Sequence, residues 1–560
     1  MKTTLFQLAT LPLLIAASFS AAAATPPGIS EVVQQATPIA PAVTKAPPPT
    51  IDGLLATEPP LQSLPGNQPT VLVKGFTFVG ASLFGEAQLQ GVAADANGKR
   101  LSVAELQDVA TRITRLYRDS GYFVARAYVP AQEIVGGVVV IRVIEGHYGQ
   151  FVLDHHGRLH AATAQAILDA VKDADIVSVD TLERAMLVLN DTPGVHVTQV
   201  SVSPGEKVGT SDFHVATEAT PAVSAIVTLD NEGSVYTGKN RLSFSGTWDA
   251  PTQTGDRLDL FAMTTDHSGL DSGRIGYWHL LTPTGMRGEL AASRTTYDLG
   301  KTYAALDAVG HANTVEALVT YPAILTETHR LTAQVGGAYS SLVDEVHSTG
   351  TRTPKKDGNV NGGVEYSSIA PEASVQAGAT VTIGHLGIDE STAAAADALG
   401  ARTRGTFSKL ALHAERRQSL PGAFEIDARL RAQTPLDDKS LDGSDKLEVS
   451  GSDGVIVYAP GELLGDTAAV GRISLSRAFP MGGESKLTPS VFVDQGWAHN
   501  KFAVAGTSKS RTLGDVGVGV VASYRMASLS VQWASRTVGG KARAEPTSSS
   551  RVLAQLAIAF

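Results

Sequence analysis

Residues 437–466 read DDKSLDGSDKLEVSGSDGVIVYAPGELLGD, a glycine-rich stretch between two segments in which apolar and polar residues alternate. Connections between strands are usually only a few residues long, so a connection of this length predicts a functional loop and not an ordinary turn. We expect the loop to span residues 434–466 and the flanking segments to be β-strands. The sequence therefore predicts a large sheet that carries one long loop.

The alternation extends from residue 221 to the end of the chain at residue 560. It predicts sixteen strands, because sixteen segments alternate with a period of two. These strands are expected to begin near Ala222, Asn240, Asp256, Gly273, Arg287, Thr314, His329, Gly358, Ser374, Gly405, Ala423, Thr467, Lys486, Thr512, Ala527 and Arg551. One set of connections is short and carries a proline, while the other set is longer and polar. This pattern is typical of a 16-stranded antiparallel transmembrane β-barrel in an outer membrane.

The strand faces fit a barrel with lipid outside and water inside. Leu529 and Trp533 share one face of a strand, and Gln532 lies on the other. Arg429 and Arg431 alternate with small or apolar residues, and a charge on the lipid face costs about 2–4 kcal/mol at mid-depth. We therefore predict that both arginines line the lumen.

The N-terminal part of the chain precedes the predicted barrel. Residues 1–24 have a lysine, an apolar run and a small-residue end, which predicts a secretory signal peptide. Residues 25–68 are rich in proline and predict a linker. Within it, residues 29–35 can form a short helix or remain a disordered tether.

Residues 69–148 and 149–220 carry the same pattern twice, in the order β-α-α-β-β. The long helix predicted over residues 103–119 has one apolar face, with Ser102 and Glu105 as its capping box. We place the corresponding second helix at residues 181–190, capped by Asp180. The sequence therefore predicts two small α+β domains before the barrel.

Composition narrows the functional classes. The formal net charge is -10 and there is no cysteine, which argues against a nucleic-acid partner and excludes disulfide or thiolate chemistry. No metalloprotease, nucleophile-elbow or phosphate-loop motif occurs. We expect no enzymatic activity, cofactor or metal, and interpret His155, His156 and His160, like the acidic residues of 437–445, as solvated loop residues.

The long loop resembles that of two-partner secretion transporters, the TpsB-type outer-membrane proteins of the ShlB/FhaC/HecB hemolysin secretion/activation family. In that family a Val-Arg-Gly-Tyr-like tetrad precedes a Gly-Glu and a Gly-Asp pair. The matching residues here are Val455, Ile456, Val457, Tyr458, Gly461, Glu462, Gly465 and Asp466. The barrel-wall motif F-x-D-x-G is matched by Phe492, Asp494 and Gly496. The two N-terminal domains are similar to the paired POTRA domains of the same transporters.

The resemblance implies a translocation pore in the outer membrane of a Gram-negative bacterium, with its POTRA domains in the periplasm. The implied partner is a large, unfolded TpsA-like exoprotein of hemolysin or adhesin type, bound through its N-terminal secretion domain. It also implies that the helix over residues 29–35 can plug the barrel. The aromatic C-terminal residue Phe560 resembles the signal read by barrel-assembly machinery, which with outer-membrane lipid would be a further partner.

The chain departs from the family at Ile456, where the family has an arginine that neutralises the wall aspartate. A buried carboxylate needs a partner. We hypothesise that Arg472, turned inward on the adjacent strand, pairs with Asp494 instead. The loop would then be held only by apolar contact of Ile456 and would leave the lumen easily. An outer-membrane assembly or insertion factor and a passive channel remain as alternative functions.

Overall fold

The computed structural model describes residues 26–36, 70–502, 509–545 and 548–560. The predicted signal peptide and most of the predicted linker lie outside the described residues. The described part of the linker forms helix α1 (Ile29–Val32), followed by a 3-10 turn at Val33–Gln35. In the described ranges, no helix combines the length and apolar character needed to cross a membrane.

The first module occupies residues 70–144. Its elements are β1 (Thr70–Leu72), β2 (Gly75–Val79), α2 (Glu86–Ala93), β3 (Arg100–Ser102), α3 (Val103–Asp119), β4 (Arg126–Tyr128) and β5 (Val138–Ile144). β2, β5 and β4 form a sheet in that order, and β1 pairs with β3. Ser102 and Glu105 cap α3 as a capping box, and the apolar face of α3 is buried, as the sequence predicts.

A buried carboxylate stabilises the loop between β2 and α2. Glu145 accepts hydrogen bonds from the Ser82 hydroxyl and amide, the Leu83 amide and the Tyr117 hydroxyl. Burial alone would raise the pKa of Glu145, but these donors lower it below its ordinary value. The ionised carboxylate therefore holds this corner of the module together.

The second module occupies residues 147–218. It contains β6 (His147–His156), α4 (Ala161–Asp169), α5 (Val179–Asp191), β7 (His196–Pro204) and β8 (Thr210–Glu218). The sheet order is β6-β8-β7. The predicted cap at Asp180 was wrong: α5 starts two residues earlier than predicted, and the Ser178 hydroxyl accepts the Thr181 amide at 3.3 Å.

The remainder of the chain forms one closed antiparallel barrel. The strands before the long loop are β9 (Val223–Asp230), β10 (Arg241–Asp249), β11 (Asp256–Thr265), β12 (Leu270–Leu280), β13 (Arg287–Asp298), β14 (Ala308–Leu325), β15 (His329–Val346), β16 (Thr351–Ala370), β17 (Ala373–Ile388), β18 (Gly405–Leu420) and β19 (Phe424–Pro435). A nine-residue helix, α6 (Ser391–Leu399), lies in the loop between β17 and β18.

Within the long loop, β20 (Leu447–Glu448) pairs with β21 (Leu464–Gly465). The wall then continues with β22 (Thr467–Arg477), its two-residue extension β23 (Phe479–Pro480), β24 (Ser485–His499), β25 (Ser510–Tyr524), β26 (Ala527–Val538) and β27 (Ser550–Ala559). β27 pairs with β9 and closes the barrel. Counting β22 and β23 as one strand gives the predicted sixteen.

The two faces of the wall strands differ in their surroundings. Leu529 and Trp533 lie on the exposed outer surface, whereas Arg429 and Arg431 line a cavity inside the barrel. β14 and β16 begin at Ala308 and Thr351, earlier than predicted, because both strands continue well beyond their apolar segments. The wall therefore has its apolar face outward and a polar lumen.

The second module packs directly on the near rim of the barrel, where the short turns lie. The Arg184 guanidinium donates to the Pro322 carbonyl at 2.6 Å, and Asp191 forms an ion pair with Arg330 at 2.7 Å. Leu280 and Leu325 of the wall belong to the same apolar cluster as the core of the module. The second module is thus fixed at the near mouth of the lumen.

Candidate functional site in the barrel lumen

The long loop folds back into the barrel. After β19 ends at Pro435, the chain forms a 3-10 turn at Gly443–Asp445 and the β20–β21 ribbon, then enters the wall again at Thr467. The tetrad Val455 to Tyr458 is 0–1% exposed. It packs against inward-facing wall residues, namely Ala468, Val470, Phe492, Leu513, Ala534 and Leu553. The loop thus covers the inner face of the last wall strands.

Tyr458 anchors the tetrad to the far end of the last hairpin. Its hydroxyl lies 2.9 Å from the carbonyl oxygens of both Val538 and Gly540 and can donate to either. The guanidiniums of Arg511 and Arg536 lie 5.6 and 4.9 Å from its ring centroid. Such cation–π contacts add to the hydrogen bond at a desolvated site, so Tyr458 is fixed at both its ring and its hydroxyl.

Glu462 supplies the charged anchor of the loop. Its side chain is 0% exposed and forms an ion pair with Arg511 at 2.5 Å. It also accepts the backbone amides of Arg543 at 2.8 Å and Ala544 at 2.7 Å. Because a buried carboxylate is stable only when its oxygens are paired, this arrangement ties the loop to β25 and to the β26–β27 hairpin.

Asp466 closes the base of the loop. Its carboxylate accepts the Ser440 hydroxyl, the Leu441 amide and the Lys501 amide, each at 2.9 Å for the nearest oxygen. The preceding Gly465 has no room for a side chain, since a Cβ there would lie 2.7 Å from the Cβ of Ala498. The two ends of the loop and the end of β24 therefore meet at Asp466.

Arg472 and Asp494 lie opposite each other on β22 and β24. The Arg472 Nε and Nη2 atoms donate to the two Asp494 oxygens, both at 2.6 Å, and the guanidinium lies 4.5 Å from the Phe492 ring centroid. The Asp494 side chain is 0% exposed. Arg472 thus supplies the positive charge beside Asp494 that Ile456 cannot supply.

Asp515 is an anchor that the sequence analysis did not identify. It lies on β25 opposite Asp494 and is 0% exposed. Its Oδ2 atom accepts the backbone amide of Val457 at 2.9 Å. Gly496, two residues after Asp494 on β24, admits the loop because a Cβ there would lie 2.2 Å from Val449 Cγ1. The wall therefore provides space for the loop at Gly496 and a polar contact for it at Asp515.

The hypothesis that only Ile456 holds the loop was wrong. Ile456 is 1% exposed and packs in the apolar cluster, but Tyr458, Glu462 and the Val457 amide supply the polar anchors described above. Because Asp494 already has a partner, an arginine at position 456 would enter a filled apolar site without that carboxylate. We therefore expect Ile456→Arg to disturb this packing, and we expect the loop to stay in the lumen.

Helix α1 lies in the opposite half of the lumen. Ile29 and Val32 are 0% exposed and pack against apolar residues of the β10–β15 side, including Phe261, Met263 and Tyr297. The Ile29 amide donates to Asp344 at 2.7 Å. This helix matches the predicted one over residues 29–35, and it lies inside the barrel.

The start of the long loop forms the other side of the α1 socket. The Gln34 side-chain amide donates to the carbonyls of Gly443 at 2.5 Å and Lys446 at 3.0 Å. Lys355 of β16 donates to Ser30 at 3.2 Å and forms an ion pair with Asp442 at 2.7 Å. The helix is therefore held jointly by the wall and the loop.

The acidic residues of the loop differ in their surroundings. Asp442 and Asp445 are each 6% exposed, and Asp445 forms an ion pair with Lys409 at 3.1 Å. The expectation that they are solvated was wrong, because wall lysines neutralise them inside the barrel. By contrast, Asp438 is 96% exposed at its side chain. The acidic character of these residues therefore does not show by itself which of them are buried and which are exposed.

The three histidines lie in the second module, but His155 and His156 belong to strand β6 and not to the predicted loop. His155 contacts the Thr217 hydroxyl at 2.7 Å and the Leu159 carbonyl at 2.5 Å, and His156 lies 3.1 Å from Asp154. Over residues 26–36, 70–502, 509–545 and 548–560, no three histidine, cysteine or acidic side chains converge as a metal site.

A cavity of about 560 Å³ separates the loop from the turn that follows α1. Gln34 and Gln35 line one side and the loop residues Glu448 and Ser450 to Asp453 the other, with Arg429, Arg431 and Arg472 on the wall. Arg431 donates to the Asp453 carbonyl at 2.5 Å. The lumen is therefore polar between its two apolar contacts, as expected of a water-filled pore.

Comparison with known families identifies both parts of the chain. Residues 71–146 match the POTRA domain of ShlB type. Residues 209–522 match the haemolysin secretion/activation protein ShlB/FhaC/HecB. The heme/hemopexin transporter protein HuxB of Haemophilus influenzae is 26% identical over 429 residues, which cover 76% of this chain and 75% of HuxB. The outer membrane transporter CdiB of Dickeya dadantii is 22% identical, with 83% of each chain covered.

Solved structures show the same fold. CdiB from Escherichia coli matches with a TM-score of 0.73 and 18% identity, over 90% of this chain and 93% of CdiB. BamA from Haemophilus ducreyi, lacking POTRA domains 1–3, matches with a TM-score of 0.51 and 13% identity, over 88% of this chain and 100% of BamA. At these identities the likeness is one of architecture: POTRA modules followed by a closed barrel.

Proposed function

Because this chain belongs to the haemolysin secretion/activation family ShlB/FhaC/HecB, we propose that it secretes a large unfolded exoprotein through its barrel. The barrel lies in the outer membrane of a Gram-negative bacterium, with the POTRA modules in the periplasm. The observation that carries the proposal is the closed barrel with POTRA modules before it and a loop and helix inside it. The cargo would bind the modules and then enter the lumen.

The first module has a strand edge suited to binding an extended chain. Among the described residues, β2 pairs with β5 alone, in parallel. On β5, the Val140 backbone faces away from β2, because its amide and its carbonyl both pair with the Gln132 side chain. The register of the two strands then turns the backbone groups of Gly75, Thr77 and Val79 toward β5. Those of Phe76 and Phe78 point away from the sheet, where an added strand could pair with the free groups; the Phe76 carbonyl already accepts the Gln90 side-chain amide at 2.7 Å.

The corresponding edge of the second module is occupied. At the start of β6, the Tyr148 amide donates to the Asp175 carbonyl at 3.2 Å, and the Val177 amide donates to the Gly146 carbonyl at 3.0 Å. A glutamine contacts the edge in both modules, Gln165 at the Phe151 carbonyl and Gln90 at the Phe76 carbonyl, so the backbone bonds at the start of β6 make the difference. We therefore assign cargo binding to the β2 edge of the first module, with the N-terminal secretion domain of the cargo as its ligand.

A proline in the edge strand tests this assignment. Phe78→Pro removes an outward backbone N–H, whereas Phe78→Leu shortens the side chain and keeps the N–H. We expect Phe78→Pro to bind the purified N-terminal segment of the partner exoprotein about tenfold more weakly than Phe78→Leu, which corresponds to about 1.4 kcal/mol. Equal affinities for the two variants, both with folded modules, would disprove strand addition at β2.

Phe560 is proposed to act in barrel assembly. Its backbone pairs with Ala225 in both directions, at 2.8 and 3.2 Å, and its side chain is 67% exposed on the outer surface beside the lipid. Deleting Phe560 should reduce the amount of folded, heat-modifiable barrel in the membrane far more than deleting Ser548 from a far-rim hairpin. Equal yields would mean that the terminal aromatic is not read during assembly.

The two alternatives have less support. An assembly or insertion factor shares the barrel and POTRA architecture, as the likeness to BamA shows, but that likeness is one of fold alone. A passive channel would need an open lumen, whereas here a loop and a helix occupy it. Secretion accounts for both the binding edge and the occupied pore.

A further inference from the structure

The seam that closes the barrel is its shortest strand pairing. β27 and β9 are paired at five positions, from Gln555 with Asp230 to Ala559 with Ile226. The next shortest pairing between two full wall strands, β9 with β10, has eight. Because β27 begins at Ser550 and β9 ends at Asp230, the far-rim half of β27 pairs with β26 on one side but has no strand on the β9 side.

Side chains replace the missing ladder near the seam. Asn231 follows β9, and its side-chain oxygen accepts the Ala554 amide at 2.9 Å while its side-chain amide donates to the Val552 carbonyl at 3.2 Å. The Asn231 backbone amide donates to the Ala554 carbonyl at 3.2 Å. One residue therefore continues the pairing for a short distance beyond the last strand pair.

Further out, Arg551 bridges the seam through the lumen loop. Its side chain points inward from β27, and the residue is 9% exposed. The Nη1 atom donates to the Tyr458 carbonyl at 3.0 Å, and the Nη2 atom donates to the Gly233 carbonyl at 3.3 Å. A planar guanidinium can hold two acceptors in fixed positions. Here it joins β27, the loop and the β9–β10 hairpin at one point.

A second connection runs from the same loop across the same seam. Glu462 holds the backbone amides of Arg543 and Ala544 in the β26–β27 hairpin. The next residue, Glu545, is 7% exposed and accepts the Val235 amide of the β9–β10 hairpin at 3.2 Å. The loop is therefore linked to both sides of the seam along two separate routes.

From these contacts we propose that the lumen loop braces the barrel seam, with Arg551 as the residue that positions the loop against both seam hairpins. The short β27–β9 pairing is sufficient near the periplasm, where the Phe560 backbone adds its two bonds. At the far rim the wall stays closed because the loop is in place. The loop thus has a structural role in the barrel in addition to any role in secretion.

Hydrogen exchange tests the brace in the full-length protein. Arg551→Gln should accelerate exchange in segments 231–235 and 551–554 about tenfold, as expected when hydrogen bonds from a charged donor are lost. Exchange in β24 should stay unchanged. The matched control is Arg429→Gln, the same substitution inside the same lumen but on β19. Equal exchange at the seam in the two variants would overturn the proposal.

A disulfide across the seam distinguishes a loss of bracing at the seam from a general loss of barrel stability. The chain has no cysteine, and Leu229 and Leu556 are paired directly across the seam. Oxidised Leu229→Cys/Leu556→Cys should restore slow exchange, or folding if Arg551→Gln alone does not fold. Glu545→Ala should show a smaller acceleration that the same disulfide also reverses. Failure of the disulfide to rescue either variant would contradict the brace.

Discussion

The two segments inside the barrel are held in different ways. The loop lies on the β22–β27 side, where buried charged groups anchor it: Glu462 with Arg511, Asp466 with three donors, and Asp515 with the Val457 amide. Helix α1 lies on the β10–β15 side and is held by apolar packing and a few hydrogen bonds, such as that from the Ile29 amide to Asp344.

This difference indicates which segment moves. Separating a buried ion pair leaves uncompensated charges and costs several kcal/mol, and the loop has several such contacts. The helical segment covers only residues 29–35, and so short a helix is barely stable outside its socket. We infer that α1 leaves the lumen when cargo enters, while the loop stays on the wall and forms one side of the path.

Removing the charged anchor of the loop should give the largest loss of stability. Glu462→Ala leaves Arg511 buried without its carboxylate, and we expect a loss of about 3–5 kcal/mol. Heat-modifiability of the purified barrel would measure it. The control is Glu484→Ala, because the Glu484–Arg525 pair is 69% and 67% exposed and should contribute about 0–1 kcal/mol. Equal melting temperatures for the two variants would show that the Glu462–Arg511 pair does not anchor the loop.

Removing Arg472 from its pair with Asp494 should give the next largest loss of stability. Arg472→Ala strands the fully buried Asp494, whereas Arg429 is 53% exposed and pairs with Asp427 at 2.8 Å. We expect Arg472→Ala to destabilise the barrel by about 3 kcal/mol and Arg429→Ala by less than about 1 kcal/mol. If the two alanine variants have the same melting temperature, Asp494 is hydrated and does not need Arg472 as its partner.

Much of this architecture could be predicted because strand alternation is local. Leu529 and Trp533 reveal the outer face without knowledge of any neighbour, and the same rule turned Arg472 and Asp494 inward. The positions of the two modules follow from helix caps and apolar periodicity, which are also local signals. Predicting the Arg472–Asp494 contact required only one further assumption, namely that the two strands carrying these residues pair with each other.

The loop anchors could not be predicted in this way. Alternation places Asp515, Arg511 and Arg551 on the inner face, but it does not reveal which of the inward groups each will meet. Glu462 and Arg511 are 49 residues apart, and Arg551 and Tyr458 are 93 apart. Only the path of the loop across the lumen brings them together. An excess of inward charged residues on β25 and β27 was the available signal.

Two engineered disulfides test most directly whether the helix moves and the loop stays. Glu31→Cys/Gly443→Cys would tie α1 to the loop, since a Cβ at Gly443 lies 3.1 Å from Glu31 Cγ. Val449→Cys/Gly496→Cys would tie the loop to the wall, where a Cβ at Gly496 lies 2.2 Å from Val449 Cγ1. The single cysteine variants are the controls.

The measurement is secretion of the partner exoprotein by each pair, oxidised and then reduced. We predict that the oxidised Glu31→Cys/Gly443→Cys pair, called the helix lock, reduces secretion at least about tenfold, which corresponds to a barrier of about 1.4 kcal/mol or more. Reduction of this disulfide should restore secretion. The oxidised Val449→Cys/Gly496→Cys pair, called the loop lock, should secrete as well as its reduced form. Normal secretion through the helix lock, or a block by the loop lock that reduction relieves, would contradict the account.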